Sequence, residues 1–306
     1  MSPAVALIVG AFVVAWRAPA LLDRALGRVC DPVAVLLAWW GSLAAVLLTF
    51  TAGVGLLLAP ANSVEDWAEH LAHHCWLAVR HGRLPAQDVV LGVAGVVGVA
   101  ALAARCVVVA IRQWRAQRES RQAHQDLVTL LGETLTPERE PVLRVPHRAP
   151  LAYSVGGRRG LLVVSAGVLR LPAAQRAAVV CHERAHLRGR HHLIVAFAEV
   201  LAAAAPWVPL TRRAPGAMRL LVELCADAVA VRACGAPAVR AALIALNGAP
   251  HPGHALPMAG SDVPTRLHRL QTGTLGYRTS ARIALPLAAV FAPALVSVAT
   301  AVFFCA

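Results

Sequence analysis

Residues 181–186 have the sequence Cys-His-Glu-Arg-Ala-His, an HExxH pattern within a run of good helix formers. Side chains four positions apart share one face of a helix, so His182 and His186 can present two imidazoles to one metal ion. Glu183 adjoins the first histidine and can act as general base towards an attacking water. This pattern is the minimal constellation of a zinc peptidase, and the sequence around it decides whether the chain carries one.

The pattern lies on a helix with recognisable ends. Pro172 is tolerated in a first turn, residues 173–188 contain no helix breaker, and Gly189 is the first stop signal. A catalytic zinc ion takes three protein ligands. One candidate for the third is His192, because residues 182–192 also satisfy the longer pattern HExxHxxGxxH. That pattern expects a methionine turn downstream, and neither Met218 nor Met258 lies in a convincing one.

The other candidate for the third ligand comes from a later helix, predicted over residues 218–233. Glu223 and Asp227 are four positions apart there, so their carboxylates face the same way. One can bind zinc while the other accepts a hydrogen bond from a ligand histidine. We therefore favour Glu223 over His192.

The composition is that of a membrane protein. Hydrophobic residues make up 58% of the 306 residues and charged residues 15%, with a mean hydropathy of +0.61. Three uncharged or nearly uncharged segments predict membrane spans at residues 33–62, 89–111 and 283–306. A fourth span is predicted from Pro3 if its helix continues past Arg17 to Leu22. The seven cysteines are scattered singly and form no CxxC pair, so no disulfide framework is expected.

The arginines predict which side of the membrane each segment occupies. The connection after the first span and the segment after the third are rich in arginine, so both are expected in the cytoplasm, with the two chain ends outside. Residues 112–282 hold 23 arginines and 10 acidic residues, which accounts for the net charge of +13. We expect this charge to attract anionic membrane lipid, and no motif for direct nucleic-acid binding accompanies it.

Further segments predict secondary features. Residues 193–210 are apolar but contain Glu199, Pro206 and Pro209, and we expect a buried or membrane-dipping helix that turns at the prolines. In the external loop, His70, His73 and His74 have the spacing of a metal site, although an amphipathic surface helix is favoured. Small residues on the third span suit close helix packing, within the chain or in an oligomer: Gly92, Ala94, Gly95 and Gly98.

The order of these features resembles the BlaR/MecR-type membrane metallopeptidases, gluzincins related to the HtpX-like and CAAX-prenyl proteases. Residues 149–156 and 160–165 resemble the pair of strands before the catalytic helix in that family. Residues 207–210 resemble its aromatic-proline segment, and residues 262–267 resemble a late motif that carries an arginine. The best-known members have an extracellular penicillin-binding domain after the last span; the sequence ends at Ala306, so direct antibiotic sensing is not expected.

The resemblance implies roles for individual residues. His182, His186 and Glu223 would bind one Zn²⁺ per chain, and Glu183 would be the catalytic base. Asp227 would accept a hydrogen bond from a ligand histidine. Arg266 would help to hold substrate or the developing oxyanion, with a surface ion pair as the alternative.

Together these features predict a mostly α-helical polytopic membrane protein with about four transmembrane helices and a cytoplasmic α+β zincin-like domain. The expected organisation is a membrane domain over residues 1–111, a metallopeptidase domain over residues 112–281 and a final span over residues 282–306. The expected function is a zinc metalloendopeptidase of the inner (plasma) membrane that cleaves a cytoplasmic protein. By resemblance, its substrate would be a winged-helix transcriptional repressor of the BlaI type. A quality-control protease and a non-catalytic zinc-containing receptor are the alternatives. The strand expected over residues 161–164 would offer an edge for an extended substrate.

Overall fold

The computed structural model of the protein describes residues 3–28, 31–58, 86–131, 133–136, 142–156, 160–247, 256–257, 262–273 and 279–305. The histidines predicted to cluster in the external loop (His70, His73 and His74) lie outside these residues, as does Met258. Within the described residues the chain is mostly helical and has one small sheet.

Three long helices are described before the sheet: α1 (Pro3–Arg28), α2 (Pro32–Leu58) and α3 (Ala86–Leu131). Each contains a stretch long and apolar enough to cross a membrane. These stretches are Ala4–Gly27, Pro32–Leu56 and Val93–Ala116. The first helix therefore continues past Leu22, as its assignment as a span requires. Helix α3 runs past Ile111 without a break, so the predicted domain boundary at residue 111 falls inside a helix.

A five-stranded sheet follows, with the order β1-β2-β4-β3-β5. Its strands are β1 (Glu133–Thr136), β2 (Val142–Val145), β3 (Ala152–Val155), β4 (Leu161–Ser165) and β5 (Leu256–Pro257). Strands β3 and β4 are antiparallel neighbours, with Tyr153 opposite Val163, which confirms the predicted strand pair.

The prediction that residues 161–164 form a free edge is wrong. Strand β4 is central because β2 pairs with it in parallel on one side while β3 pairs with it on the other. All five β4 residues are buried. Their apolar character therefore reflects a strand covered on both faces rather than an exposed edge. In the described part of the sheet, the outer side of β3 is covered by β5 alone, opposite Tyr153 and Ser154.

Six helices are described between β4 and residue 273. They are α4 (Ala166–Leu169), α5 (Ala173–Arg188), α6 (His191–Ala204), α7 (Pro209–Cys234), α8 (Ala236–Leu246) and α9 (Val263–Thr272). Helix α5 has the predicted bounds, with Pro172 before its first residue and Gly189 after its last. Helix α6 ends before the turn at residues 205–208, as predicted. Its 14 residues rise only about 21 Å, which is too short to span a bilayer.

The last helix, α10 (Thr279–Cys305), packs against α1 and α2. Its apolar stretch within the described residues is Ile283–Ala299, shorter than the stretches of the three earlier helices. Its assignment as a fourth span therefore stays a prediction.

Two of the three hydrophobic clusters found among the described residues include α7. One cluster combines the sheet with α5, α7, α8 and α9, and includes Leu162, Val179, Leu224 and Leu243. The other combines α7 with α1, α2 and α6, and includes Trp39 of α2 and Leu221 of α7. Met218 is fully buried in the second cluster within α7, so it forms no methionine turn.

Of the small residues on α3, Gly95 packs against another helix of the same chain. A side chain there would meet Val54 of α2, because a Cβ atom at residue 95 would lie 2.8 Å from a Val54 methyl group. A Cβ atom at Gly98 would meet no described atom within 4 Å. Packing against α2 thus explains why residue 95 has no side chain. An oligomer formed through the third span stays a prediction.

Candidate metal centre

Helix α5 brings the two histidines of the HExxH pattern together. His182 and His186 are both buried, and their Nε2 atoms lie 3.0 Å apart. The two ring centroids are 4.8 Å apart, and the interplanar angle between the rings is 68°. Two imidazole nitrogens therefore converge on one point beside α5, as the four-residue spacing predicts.

Helix α7 adds a carboxylate to the same point. Glu223 Oε2 lies 3.3 Å from His182 Nε2, and Glu223 Oε1 lies 3.4 Å from His186 Nε2. Four tetrahedral ligands with bonds of about 2.0–2.1 Å have neighbouring ligand atoms ~3.3 Å apart. The distance between the two histidine nitrogens is 3.0 Å, and each nitrogen lies 3.3–3.4 Å from one of the two Glu223 oxygens, which is close to that edge length. With one oxygen taken from Glu223, the three ligand atoms all lie within 4.8 Å of one another. The residues therefore fit a zinc ion with a fourth position left for water.

Asp227 lies behind His182, one helical turn after Glu223. Its Oδ1 atom is 3.0 Å from His182 Nδ1, on the side of the ring opposite Nε2. Asp227 is fully buried. A carboxylate in this position keeps the proton of a ligand histidine on Nδ1, which leaves Nε2 free for a metal. Asp227 thus lies beside the His182 nitrogen that faces away from Glu223.

Arg266 of α9 holds both carboxylates of α7. Its Nε and Nη2 atoms each donate to Asp227 over 2.7 Å, to Oδ2 and Oδ1 respectively. Its Nη1 atom lies 2.8 Å from Glu223 Oε2. The side chain is fully buried, so the alternative of a surface ion pair is wrong.

His192 lies away from this cluster. A Cβ atom at Gly156, at the end of β3, would come within 2.3 Å of His192 Nδ1, so the His192 ring packs over that glycine. Among the described residues, the group whose ligand atoms converge is His182, His186 and Glu223. The alternative of a third histidine ligand at position 192 therefore has no support in the geometry.

His191, which was not predicted as a site residue, contacts His186 instead. Its Nδ1 atom lies 2.9 Å from Nδ1 of His186. Burial, reinforced by the neighbouring His182 and His192, lowers the pKa of His191 to about 4, so its ring is neutral at pH 7. The sequence offered no signal for this contact, because the turn between α5 and α6 decides which of two adjacent histidines faces His186.

Glu183 is buried beside the cluster, which raises the pKa of its carboxyl group to about 7. Loss of hydration is the largest cause, and the negative charge of Glu223 adds to it. The positive charge of His182, the hydroxyl of Ser154 on β3 and Arg266 act in the opposite direction. A carboxyl group with a pKa near 7 can accept and return a proton at neutral pH.

The charges around the two candidate histidine ligands differ. Burial lowers the pKa of His182, but hydrogen bonds and charges from Asp227 and Glu223 outweigh it and raise this pKa to about 9. Burial, with the positive charge of His182, lowers the pKa of His186 well below its usual value. The pKa of Asp227 falls to about 2, because Arg266 and His182 outweigh its burial. At neutral pH a proton is thus favoured on His182 and disfavoured on His186.

Glu199, an acidic residue inside the apolar α6, also has a partner. Arg219 of α7 donates to its Oε1 atom and forms an ion pair with it. This partly exposed pair links α6 to α7 one helical turn before Glu223.

Comparison with known proteins gives one match. Residues 115–211 match the model of peptidase family M48. The matched stretch includes the HExxH pattern and ends before Glu223, so Glu223 is a candidate ligand by geometry alone. No curated protein and no solved structure matched the chain.

The family match and the convergence of His182, His186 and Glu223 agree on the same chemistry, although the match covers less than half of the chain. They support a metallopeptidase of the M48 type.

Proposed function

We propose that the protein is a membrane-embedded zinc metalloendopeptidase. The observation that carries this proposal is the triangle of His182, His186 and Glu223 ligand atoms with Glu183 buried alongside. A purely structural zinc site needs four protein ligands and no adjacent base. The combination of three ligands and a glutamate therefore favours catalysis over a non-catalytic receptor.

The ion in this site would supply Lewis acidity towards a peptide carbonyl and a water that is easier to deprotonate. Glu183 takes a proton from the attacking water and passes it to the leaving amine, as its pKa of about 7 allows. His182, His186 and Glu223 hold the ion, and Asp227 keeps the proton of His182 on Nδ1.

The proposed role of Arg266 follows from its contacts. The sequence suggested that it stabilises the oxyanion, but its three nitrogen atoms point at the carboxylates of Asp227 and Glu223. We propose that it acts by positioning these two side chains and by offsetting their negative charge in a buried site. A direct contact with substrate is not needed for this role.

Strand β3 is the best-placed element to guide a substrate. It packs against α5, and its Ser154 lies near Glu183. Its outer side pairs with β5 over only two residues in the described chain. The part of β3 next to Glu183 is therefore already paired with β5, and an extended substrate would add to β3 there only by displacing these two residues.

The cellular location and the natural substrate are proposed from features other than the metal centre. Three helices long and apolar enough to cross a membrane support an integral membrane enzyme. The arginine-rich segments favour a cytoplasmic site, with both chain ends outside. A repressor of the BlaI type remains our substrate proposal and rests on the resemblance alone. A quality-control protease would differ from it by degrading unfolded membrane proteins broadly rather than cutting one partner.

The test compares wild type with Glu183→Gln in the full chain, purified in detergent. We expect both proteins to hold one zinc ion, since the substitution preserves shape and leaves the three ligands intact. Hydrolysis of unfolded casein should fall by about 10²- to 10⁴-fold in the variant, because the general base is lost. Equal activity in the two proteins would overturn the proposal, as would a wild type that binds no zinc.

A further inference from the structure

His191 makes one close contact that the proposed reaction does not yet use. Its ring stands perpendicular to that of His186, with an interplanar angle of 89° and centroids 4.9 Å apart. The two Nδ1 atoms are separated by 2.9 Å. His191 is 8% exposed, so water competes little for this contact.

Only one of two nitrogen atoms at this distance can carry the hydrogen between them. The Nε2 atom of His186 faces His182 Nε2 and Glu223, where a metal ligand needs a lone pair. A neutral imidazole carries one proton, so the proton of His186 belongs on Nδ1. His186 therefore donates, and Nδ1 of His191 accepts.

We infer that His191 is a positioning residue, which fixes the ring orientation and the tautomer of the metal ligand His186. This inference rests on the proposed metal site. It gives each imidazole its own partner, Asp227 for His182 and His191 for His186. Such partners raise metal affinity because they hold the ligand in its binding form before the ion arrives.

The backbone conformation between α5 and α6 brings His191 close to His186. Arg190 adopts a left-handed conformation, with φ 48° and ψ 39°, which is uncommon for a residue with a side chain. This turn folds His191 back over the end of α5. A Cβ atom at position 189 would lie 2.3 Å from Nε2 of His191, so Gly189 leaves the space that the ring occupies.

The test uses three variants of the full chain and measures Zn²⁺ affinity by competition with a chelator. His191→Leu removes the acceptor, while His191→Asn places an amide oxygen where Nδ1 was. His192→Leu is the matched control at the next position. We expect about 10- to 100-fold weaker binding in His191→Leu, affinity close to wild type in His191→Asn, and no change in the control.

A second measurement keeps the inference testable if His191→Leu fails to fold. Nitrogen-15 spectra of the wild type before zinc is added should show His186 protonated on Nδ1. Gly189→Ala should displace the His191 ring and weaken Zn²⁺ binding in the same way. Unchanged affinity in a folded His191→Leu variant would overturn the inference and leave the proposed function standing, and so would His186 protonated on Nε2. A wild type without zinc affinity would overturn the proposed function itself, and the inference with it.

Discussion

Asp227 holds two groups of the centre at once. It faces His182 Nδ1 and accepts two hydrogen bonds from Arg266. The three side chains are fully buried, so each charge depends on its partner for the interactions that water would otherwise provide. Removing one of these charges therefore leaves the others buried without a partner, which lowers the free energy of unfolding.

The substitution Asp227→Asn should destabilise the fold and weaken zinc binding together. Loss of one partner of a buried ion pair costs about 3–5 kcal/mol, and loss of the partner of a ligand histidine costs about 10- to 100-fold in metal affinity. Chemical denaturation and chelator competition measure the two effects. Asp262→Asn, before the first residue of α9, is the control and should change neither.

The same carboxyl group predicts how stability responds to acid. Its pKa is lowered from 3.8 to about 2 in the folded protein, so its stabilising effect is complete above pH 3.8 and lost as the pH falls to about 2. Asp227→Asn should lack this part of the acid-induced loss. A variant whose stability falls in parallel with wild type over that interval would count against the ion pair.

Zinc binding should tighten as the pH rises. His182 has a pKa of about 9 and is protonated at neutral pH, and it must lose that proton to bind a metal. Zinc affinity should therefore rise by about tenfold per pH unit up to about pH 9 and then level off. Calorimetry in buffers of different ionisation enthalpy measures the released proton directly. Zinc affinity independent of pH between 6 and 8 would contradict this account.

At the scale of elements, the turn between α5 and α6 is the feature that the sequence could least predict. The ends of α5 follow from Pro172 and Gly189, which have strong local preferences. No local sequence preference predicts the left-handed backbone conformation of Arg190. His191 and His192 are identical in type and adjacent, so only this backbone conformation decides which one faces the centre.

Arg190→Gly should be neutral or stabilising by up to about 1 kcal/mol, because glycine adopts a left-handed conformation without steric cost. The control Arg188→Gly lies in the last turn of α5 and should destabilise by up to about 1 kcal/mol. Denaturation of the two variants under identical conditions compares them. Equal destabilisation in both would show that the turn is not strained at Arg190.

Two other elements differ from the sequence-based expectation for physical reasons. Helix α7 starts at Pro209 rather than near residue 218, because proline suits a first turn. Strand β5 has two residues and exists only through its pairing with β3. Such a pairing depends on distant parts of the chain, so no local pattern signals it. The same holds for β4, whose central position depends on β2.

At the scale of the whole molecule, helix α7 packs against both the long apolar helices and the elements around the candidate metal centre. Its residues contribute to the cluster with α1 and α2 and also to the cluster with α5 and the sheet. Glu223 lies between Val222, which belongs to the cluster with α1 and α2, and Leu224, which belongs to the cluster with the sheet. The third candidate ligand therefore comes from the helix that both clusters share.

The zinc content of Glu223→Ala and His192→Ala, measured by metal analysis of the full chain in detergent, tests the central claim most directly. We expect wild type and His192→Ala each to hold one zinc ion. Glu223→Ala should hold none after exposure to a weak chelator, because two histidines alone bind zinc too loosely. Zinc lost from His192→Ala but retained by Glu223→Ala would contradict the claim.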